Sequence, residues 1–184
     1  MLFRPAILII FALALSACAS SGARQGPDAS FEAPYTLDGG DKLRGTVFGQ
    51  EGLTNSYAVD GAGKISMPLI GRVEARGLTT QQVASHIADK LRGGFVREPH
   101  VAVEVETYRP FFILGEVTAA GQYPYVNNLT VETAVAIAGG FTPRANRSSF
   151  TIVRTVNGTP SSASVPPYFN VRPGDTITVH ERWF

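Results

Sequence analysis

The 184-residue sequence has a single cysteine, Cys18, so no disulfide bond can form within the chain. Its three histidines, His86, His100 and His180, are not spaced as metal ligands on one helix. A Gly-x-Ser-x-Gly motif is missing, and the sequence shows no persuasive pair of carboxylates. We therefore predict that the chain is not an enzyme, holds no metal and needs no cofactor.

An excess of positive charge is also missing. The chain has 16 Lys and Arg against 15 Asp and Glu, without a long basic run. Because nucleic-acid binding needs clustered positive charge, the sequence predicts no nucleic-acid partner. Its leading apolar run, residues 5–15, is shorter than the about 20 residues that a membrane span needs.

The amino terminus has the organisation of a secretory signal. Arg4 forms a short positive region, residues 5–15 are apolar, and small residues follow. Leu15-Ser16-Ala17-Cys18 fits a lipobox, in which the thiol is diacylated and the chain is cut before Cys18. The alternative is an incidental thiol near an ordinary cleavage site. We favour the lipobox because it explains the lone cysteine, and acyl chains anchor by about 0.8 kcal/mol per methylene.

We therefore predict a signal peptide over residues 1–17 and a lipidated, flexible tether over residues 18–34, which are small and polar. Ala19 rather than aspartate follows the cysteine, as in lipoproteins sent to the outer membrane. Removal of residues 1–17 takes away one arginine and no acid, so the mature chain is formally neutral. We expect the folded body to face the periplasm.

The remaining sequence predicts an α+β fold of two small domains, residues 35–108 and 109–184. Thr79 with Gln82 forms a capping-box spacing before one helix, and Thr130 caps a shorter helix. Strand patterns occur in "KLRGTVFG", "HVAVEVET", "FFILGEV" and "SFTIVRT", whereas "PSSASVPP" is predicted to be a loop. An Asn157-Gly158 turn is predicted between the last two segments.

Two segments of the chain echo each other, "LDGGDKLRGTV" and "VRPGDTITV". Each contains a Gly–Asp pair, Gly40-Asp41 in the first and Gly174-Asp175 in the second. We interpret the echo as one turn used twice. In this turn glycine supplies an unusual backbone angle and aspartate caps the amide of the next strand.

The ordered motifs resemble a known family. Tyr35-x-Leu37-x-x-Gly40-Asp41-x-Leu43, "YAVDGAGKISMPLIGRVEARGLTTQQVASHIADKL" and "EPHVAVEV" resemble the polysaccharide export domain of outer-membrane polysaccharide export proteins. The segments "FILGEVTAAGQYPYVNNLTVETAVAIAGGFTPRAN" and "VRPGDTITVHERWF" resemble the soluble ligand-binding β-grasp domain of the same family. The resemblance covers residues 35–184.

The resemblance implies an outer-membrane lipoprotein that assembles into a periplasmic ring, often an octamer. Such a homo-oligomer exports capsular polysaccharide or exopolysaccharide and docks on an inner-membrane polysaccharide copolymerase. Larger members end in a membrane-crossing helix that this sequence does not show, so we expect a short form served by a separate outer-membrane β-barrel. The alternative is a lipid-anchored periplasmic module that binds saccharide or bridges envelope components without a conduit role.

Transit of a polymer needs polar, weakly binding contacts. Tyr123 and Tyr125 are candidates for stacking on sugar rings, although aromatic residues near strands often belong to the core. The charged candidates are equally consistent with solvent-exposed faces; they are Arg72, Arg76, Glu104 and Glu106.

Overall fold

A computed structural model describes residues 34–156 and 158–183. The predicted signal peptide, Cys18 and the predicted tether up to residue 33 lie outside the described residues, as does Asn157 of the predicted turn. Within the described ranges the chain forms ten β-strands and two α-helices. Two separate clusters of buried side chains divide these elements between two domains, so the predicted α+β fold is confirmed.

The first domain is built on a three-stranded antiparallel sheet in the order β2-β1-β5, with a separate hairpin of β3 and β4. Helix α1 packs against β5 and β4. The elements are β1 (Lys42–Val47), β2 (Asn55–Ala58), β3 (Lys64–Met67), β4 (Gly71–Glu74), α1 (Thr80–Arg92) and β5 (Val101–Thr107), with a 3₁₀ turn at Glu51–Leu53.

The periodic spacing of apolar residues along α1 and β5 determines which side chains form the core of this domain. Val83, Ile87 and Leu91 recur every four residues of α1 and are fully buried. On β5, Val103 is buried, whereas Glu104 and its neighbour Glu106 are exposed. Burying these apolar side chains supplies about 1.5–3 kcal/mol each, which is the main stabilisation available to so small a domain.

The second domain contains a five-stranded sheet in the order β7-β6-β10-β8-β9. Strand β10 runs parallel to β6 and antiparallel to β8, so the last of the described strands lies in the middle of the sheet. The elements are β6 (Phe111–Gly115), β7 (Gly121–Tyr123), α2 (Val131–Ile137), β8 (Phe150–Val156), β9 (Thr159–Val165) and β10 (Thr176–Val179). Alternate residues of β6, β8 and β10 form its core, with Phe111 and Phe150 the largest fully buried side chains.

The segment predicted as a loop, "PSSASVPP", is mostly strand. Strand β9 pairs with β8 from Val156↔Thr159 to Phe150↔Val165. The prediction was wrong because it relied on the weak β propensity of serine and proline, which backbone pairing with a neighbouring strand overrides. Pro160 is tolerated because β9 is an edge strand, and buried Val165 holds the strand to the core.

The predicted capping box at α1 is confirmed. The Gln82 N–H donates to Thr79 Oγ1 at 3.3 Å, and the Thr79 N–H donates to Gln82 Oε1 at 2.8 Å. Two donors at the start of the helix are thereby satisfied. No helix in the described residues is both long enough and apolar enough to cross a membrane.

We predict that Thr79→Ala lowers the free energy of unfolding by about 1 kcal/mol, because it removes the side-chain half of the capping box. Gln81→Ala is the matched control, since this exposed side chain in the same helical turn makes no hydrogen bond within the described residues. It should change stability by less than about 0.5 kcal/mol. Urea denaturation of the full chain measures both, and equal effects would contradict the role of Thr79.

Candidate functional site

The two Gly–Asp segments form the same turn, one in each domain. The N–H of Asp41 donates to the carbonyl of Asp38 at 3.2 Å, and that of Asp175 to the carbonyl of Arg172 at 3.1 Å. The intervening glycines, Gly40 and Gly174, have φ of 94° and 84°. A positive φ at the third residue is the requirement of a type II turn, and glycine meets it without steric cost.

Each turn buries its carboxylate completely. Asp41 and Asp175 are both 0% exposed. The carboxylate of Asp41 accepts the N–H of Asp38 at 2.9 Å, and that of Asp175 accepts the N–H of Arg172 at 2.7 Å. Each aspartate thus caps the first residue of its own turn, whereas the sequence predicted a bond to the amide of the following strand.

The second-domain carboxylate is neutralised from within its own domain. Arg154 of β8 donates from Nε to Asp175 Oδ1 at 2.9 Å and from Nη2 to Asp175 Oδ2 at 2.6 Å. A further hydrogen bond from Nη2 to the carbonyl of Asn170, at 3.0 Å, holds the segment before the turn. This forked, charge-assisted pair fixes the turn against the middle of the sheet.

The first-domain carboxylate is neutralised from the junction between the domains. Arg109 donates its backbone N–H to Asp41 Oδ1 at 2.9 Å, and its Nη1 to Asp41 Oδ2 at 3.1 Å and to the Tyr35 hydroxyl at 3.0 Å. The same side chain passes so close to Gly174 that an added methyl group there would lie 2.5 Å from Nε. The N–H of Gly174 also donates to the carbonyl of Pro110 at 2.9 Å. Arg109 therefore links the two turns.

A cleft of about 410 Å³ opens beside this link, with walls from both domains. We call it the tyrosine cleft. Its three aromatic rings form a chain, since Tyr108 contacts Tyr35 and Tyr125 edge to face with ring centres 5.3 Å apart in both pairs. The lining residues are Tyr35, Tyr108, Tyr125, Asn127, Asn128, Asn170, Val171, Arg172 and Pro173.

Two of these tyrosines are held as neutral phenols. The Tyr35 hydroxyl donates to Asp41 Oδ2 at 2.5 Å. Burial, followed by this hydrogen bond, raises the pKa of Tyr35 far above its ordinary value. Burial also raises the pKa of Tyr125, and the nearby Tyr108 and Asp175 add to the effect.

A second cleft, of about 390 Å³, lies between Arg76 of the first domain and Thr155 of the second. Arg76 Nε donates to Asp38 Oδ1 at 2.7 Å. Burial raises the pKa of Asp38, but hydrogen bonds from Arg76 and from the Gly39 N–H outweigh burial and lower it overall. This carboxylate therefore stays ionised and paired.

The chemistry available at the junction is non-covalent binding. Among residues 34–156 and 158–183, no group of three or more His, Cys, Asp and Glu side chains is placed to hold a metal. The junction carboxylates Asp38, Asp41 and Asp175 are each bound to an arginine. The tyrosine cleft is lined instead by aromatic rings, side-chain amides and one cation, Arg172.

Comparison with known proteins shows the family. Residues 29–106 match the polysaccharide biosynthesis/export protein family, and residues 110–162 match the SLBB domain. The chain is 35% identical over 148 residues to the exopolysaccharide production protein ExoF of Rhizobium meliloti (strain 1021). That match covers 74% of this chain and 34% of ExoF, so the chain spans about a third of that relative's length.

The chain belongs to the polysaccharide export protein family. Its two matched ranges leave only residues 107–109 between them, which include Tyr108 and Arg109 of the junction. The predicted division at residues 108 and 109 stays a prediction. The matched families are transport-related and not enzymatic, which agrees with the prediction from the sequence.

The structure separates the predicted sugar contacts. Tyr125 lies in the tyrosine cleft, and Arg76 lies in the second cleft. Tyr123 stacks on Phe111 with ring centres 5.9 Å apart, and its hydroxyl donates to the carbonyl of Ala119 at 2.6 Å. Its position fits the alternative, a residue packed against the core.

The remaining charged candidates line neither cleft. Glu106 pairs with Lys42 at 3.2 Å, and hydrogen bonds from Ser56 and Lys42 lower the pKa of Glu106. Glu104 on β5 and Arg72 on β4 are exposed. These positions fit solvent-exposed faces, and contact with a polymer stays a prediction for them.

Several residues of the junction were not predicted. The sequence predicted a domain boundary at residues 108 and 109, but nothing local indicated that Arg109 binds Asp41, 68 residues earlier. The Asn127-Asn128 pair was visible as a turn signal next to Tyr125. Asn170 comes from a distant segment, so only the fold brings it to the cleft.

We predict that Tyr35→Phe changes how stability depends on pH. In the wild type, the stability that Tyr35 contributes is fully present below its ordinary pKa of 10.0. It is lost as pH rises further, because the unfolded chain then releases the proton that the folded chain keeps. The variant should be about 1.5–3 kcal/mol less stable at pH 8, having lost a hydrogen bond to a carboxylate, but should lose less stability above pH 10.

Urea denaturation at several pH values between about 8 and 11 tests this prediction. Tyr168→Phe is the control, because its side chain is 78% exposed and should keep the wild-type slope. A Tyr35→Phe slope above pH 10 equal to that of the wild type would show that Tyr35 is not a buried donor to Asp41.

Proposed function

We propose that this protein is an envelope component of polysaccharide export. The observation that carries the proposal is the succession of two matched domains, polysaccharide biosynthesis/export and SLBB, within one described body. The name of its relative ExoF, an exopolysaccharide production protein, supports the same process. The polymer would be capsular polysaccharide or exopolysaccharide.

The side chains at the junction favour passage of a polymer rather than its chemical cleavage. Hydrolysis of a glycosidic bond uses two carboxyl groups placed on either side of it. The carboxylates Asp41 and Asp175 are instead buried and paired with arginines. Exposed amides and partly accessible aromatic rings bind sugars reversibly, which is what transport requires.

We also propose how the protein is held and assembled. Lipid on Cys18 anchors the chain to the outer membrane, and residues 18–34 tether a periplasmic body. Copies form a closed ring. Head-to-tail contacts between identical subunits give a ring when the rotation from one subunit to the next adds up to a full turn. The ring guides polymer delivered by an inner-membrane copolymerase.

A second candidate is a saccharide-binding module without a conduit role. The tyrosine cleft favours it specifically, because the cleft is complete within one copy of the chain. The two candidates differ in assembly, since the conduit needs a closed oligomer and the module does not.

We predict that deletion of the gene removes polysaccharide from the medium and that the wild-type gene restores it. Chemical analysis of extracellular polysaccharide measures this effect, and unchanged polysaccharide after deletion would overturn the export role.

We predict that Cys18→Ser lacks lipid and leaves the membrane fraction, because the anchoring acyl chains are gone. Sedimentation of the protein measures this effect, and membrane sedimentation of Cys18→Ser would overturn the anchor.

We predict a closed oligomer of the full chain after extraction in mild detergent. Native mass spectrometry, which resolves the subunit count directly, is the measurement. A single oligomeric species supports the conduit. A monomer that still binds saccharide would replace the conduit with the binding module.

A further inference from the structure

The tyrosine cleft has the shape of a ligand site. Its volume of about 410 Å³ lies within the about 300–1,000 Å³ usual for small-molecule sites. Tyr35 and Tyr108 form one wall, and Tyr125 with the asparagine segments of the second domain forms the other. A ligand in the cleft would therefore touch both domains.

The aromatic part of the cleft is preorganised. Edge-to-face contacts hold Tyr108 between Tyr35 and Tyr125, and the hydrogen bond to Asp41 holds Tyr35. All three residues are only partly buried, so part of each side chain stays accessible. Aromatic faces carry negative charge density and attract the weakly positive C–H groups that a pyranose presents on one side of its ring.

The polar part of the cleft matches hydroxyl groups. Asn127, Asn128 and Asn170 are exposed, and their side-chain amides make no hydrogen bond to the described part of the chain. Each amide offers both donors and an acceptor. A sugar hydroxyl likewise donates and accepts hydrogen bonds. Three amides beside aromatic rings therefore suit a polyhydroxylated ring better than an apolar ligand.

The charge of the cleft narrows the class of sugar. Arg172 lines the cleft, and within the described residues no carboxylate does. Asp41 and Asp175, which lie beside Tyr35 and Tyr125, are buried and paired with Arg109 and Arg154. An ammonium group would find no counter-ion here, whereas an uncharged or carboxylate-bearing sugar would find donors.

We propose that the tyrosine cleft binds one or two pyranose units of an uncharged or acidic saccharide, stacked on Tyr108 and Tyr125 and hydrogen-bonded by the asparagines. The proposal rests on the proposed export function and assigns its polymer contact to this cleft.

The test is saturation-transfer NMR titration of the full chain in a zwitterionic detergent without a sugar head group. Probes are cellotetraose, tetragalacturonate and the tetramer of glucosamine. Cellotetraose or tetragalacturonate should bind with a Kd of about 0.1–10 mM, and the cationic tetramer should bind at least about tenfold more weakly. No binding by any probe, or tightest binding by the cationic one, would overturn the proposal.

The Asn127→Ala/Asn170→Ala variant removes two exposed amides and should keep the fold. It should weaken binding about tenfold, since two hydrogen bonds to the sugar are lost. Tyr108→Leu removes the central ring and should abolish binding, with its urea midpoint measured to verify folding. Tyr168→Leu, exposed and outside the cleft, is the matched control and should bind as the wild type does. Wild-type affinity in the asparagine variant would contradict the assignment.

The failure of this proposal is distinguishable from failure of the export function. If the deletion strain loses its polysaccharide but the full chain binds none of the probes, the cleft is rejected as the saccharide site and the export function stands. If the chain binds saccharide in the cleft but the deletion strain keeps its polysaccharide, the export function is rejected and the saccharide site stands.

Discussion

A buried carboxylate must be neutralised. Asp41 is neutralised by Arg109, an arginine at the junction that belongs to no strand of the first-domain sheet. Asp175 uses Arg154 of its own sheet, so the second domain is complete in itself. The first domain instead depends on Arg109, which also packs against Gly174 of the second-domain turn. Because removing one partner of a buried pair costs about 3–5 kcal/mol, the placement of the domains and the stability of the first turn are linked.

The same carboxylate organises the tyrosine cleft. Asp41 holds the hydroxyl of Tyr35, Tyr35 supports Tyr108 edge to face, and Tyr108 supports Tyr125 in the same way. A cleft whose rings are fixed before a ligand arrives loses little side-chain entropy when the ligand binds. The asparagines are exposed and their side chains make no hydrogen bond to the described chain, so recognition would combine exposed amides with fixed rings.

The sequence predicted what local physics determines. Helix α1 was predicted with its capping box and buried face, since both are properties of neighbouring residues. The Gly–Asp turns were recognised, but not their arginines, because an ion pair between Asp41 and Arg109 spans 68 residues. Strand β9 was missed for a different reason, because its pairing with the adjacent β8, and not its serine-rich composition, makes it a strand. Of the cleft, only Tyr125 was predicted.

Transport and recognition make opposite demands on such a site. A polymer that moves must leave each contact as readily as it arrives, so a strong ion pair with the protein would stop it. The tyrosine cleft offers partly accessible rings and exposed amides, whose individual contributions are about 1 kcal/mol. The buried charges of the junction, Asp41, Asp175 and their arginines, pair with each other inside the fold. Charge therefore holds the junction together, and apart from Arg172 the groups that line the cleft make weak, uncharged contacts.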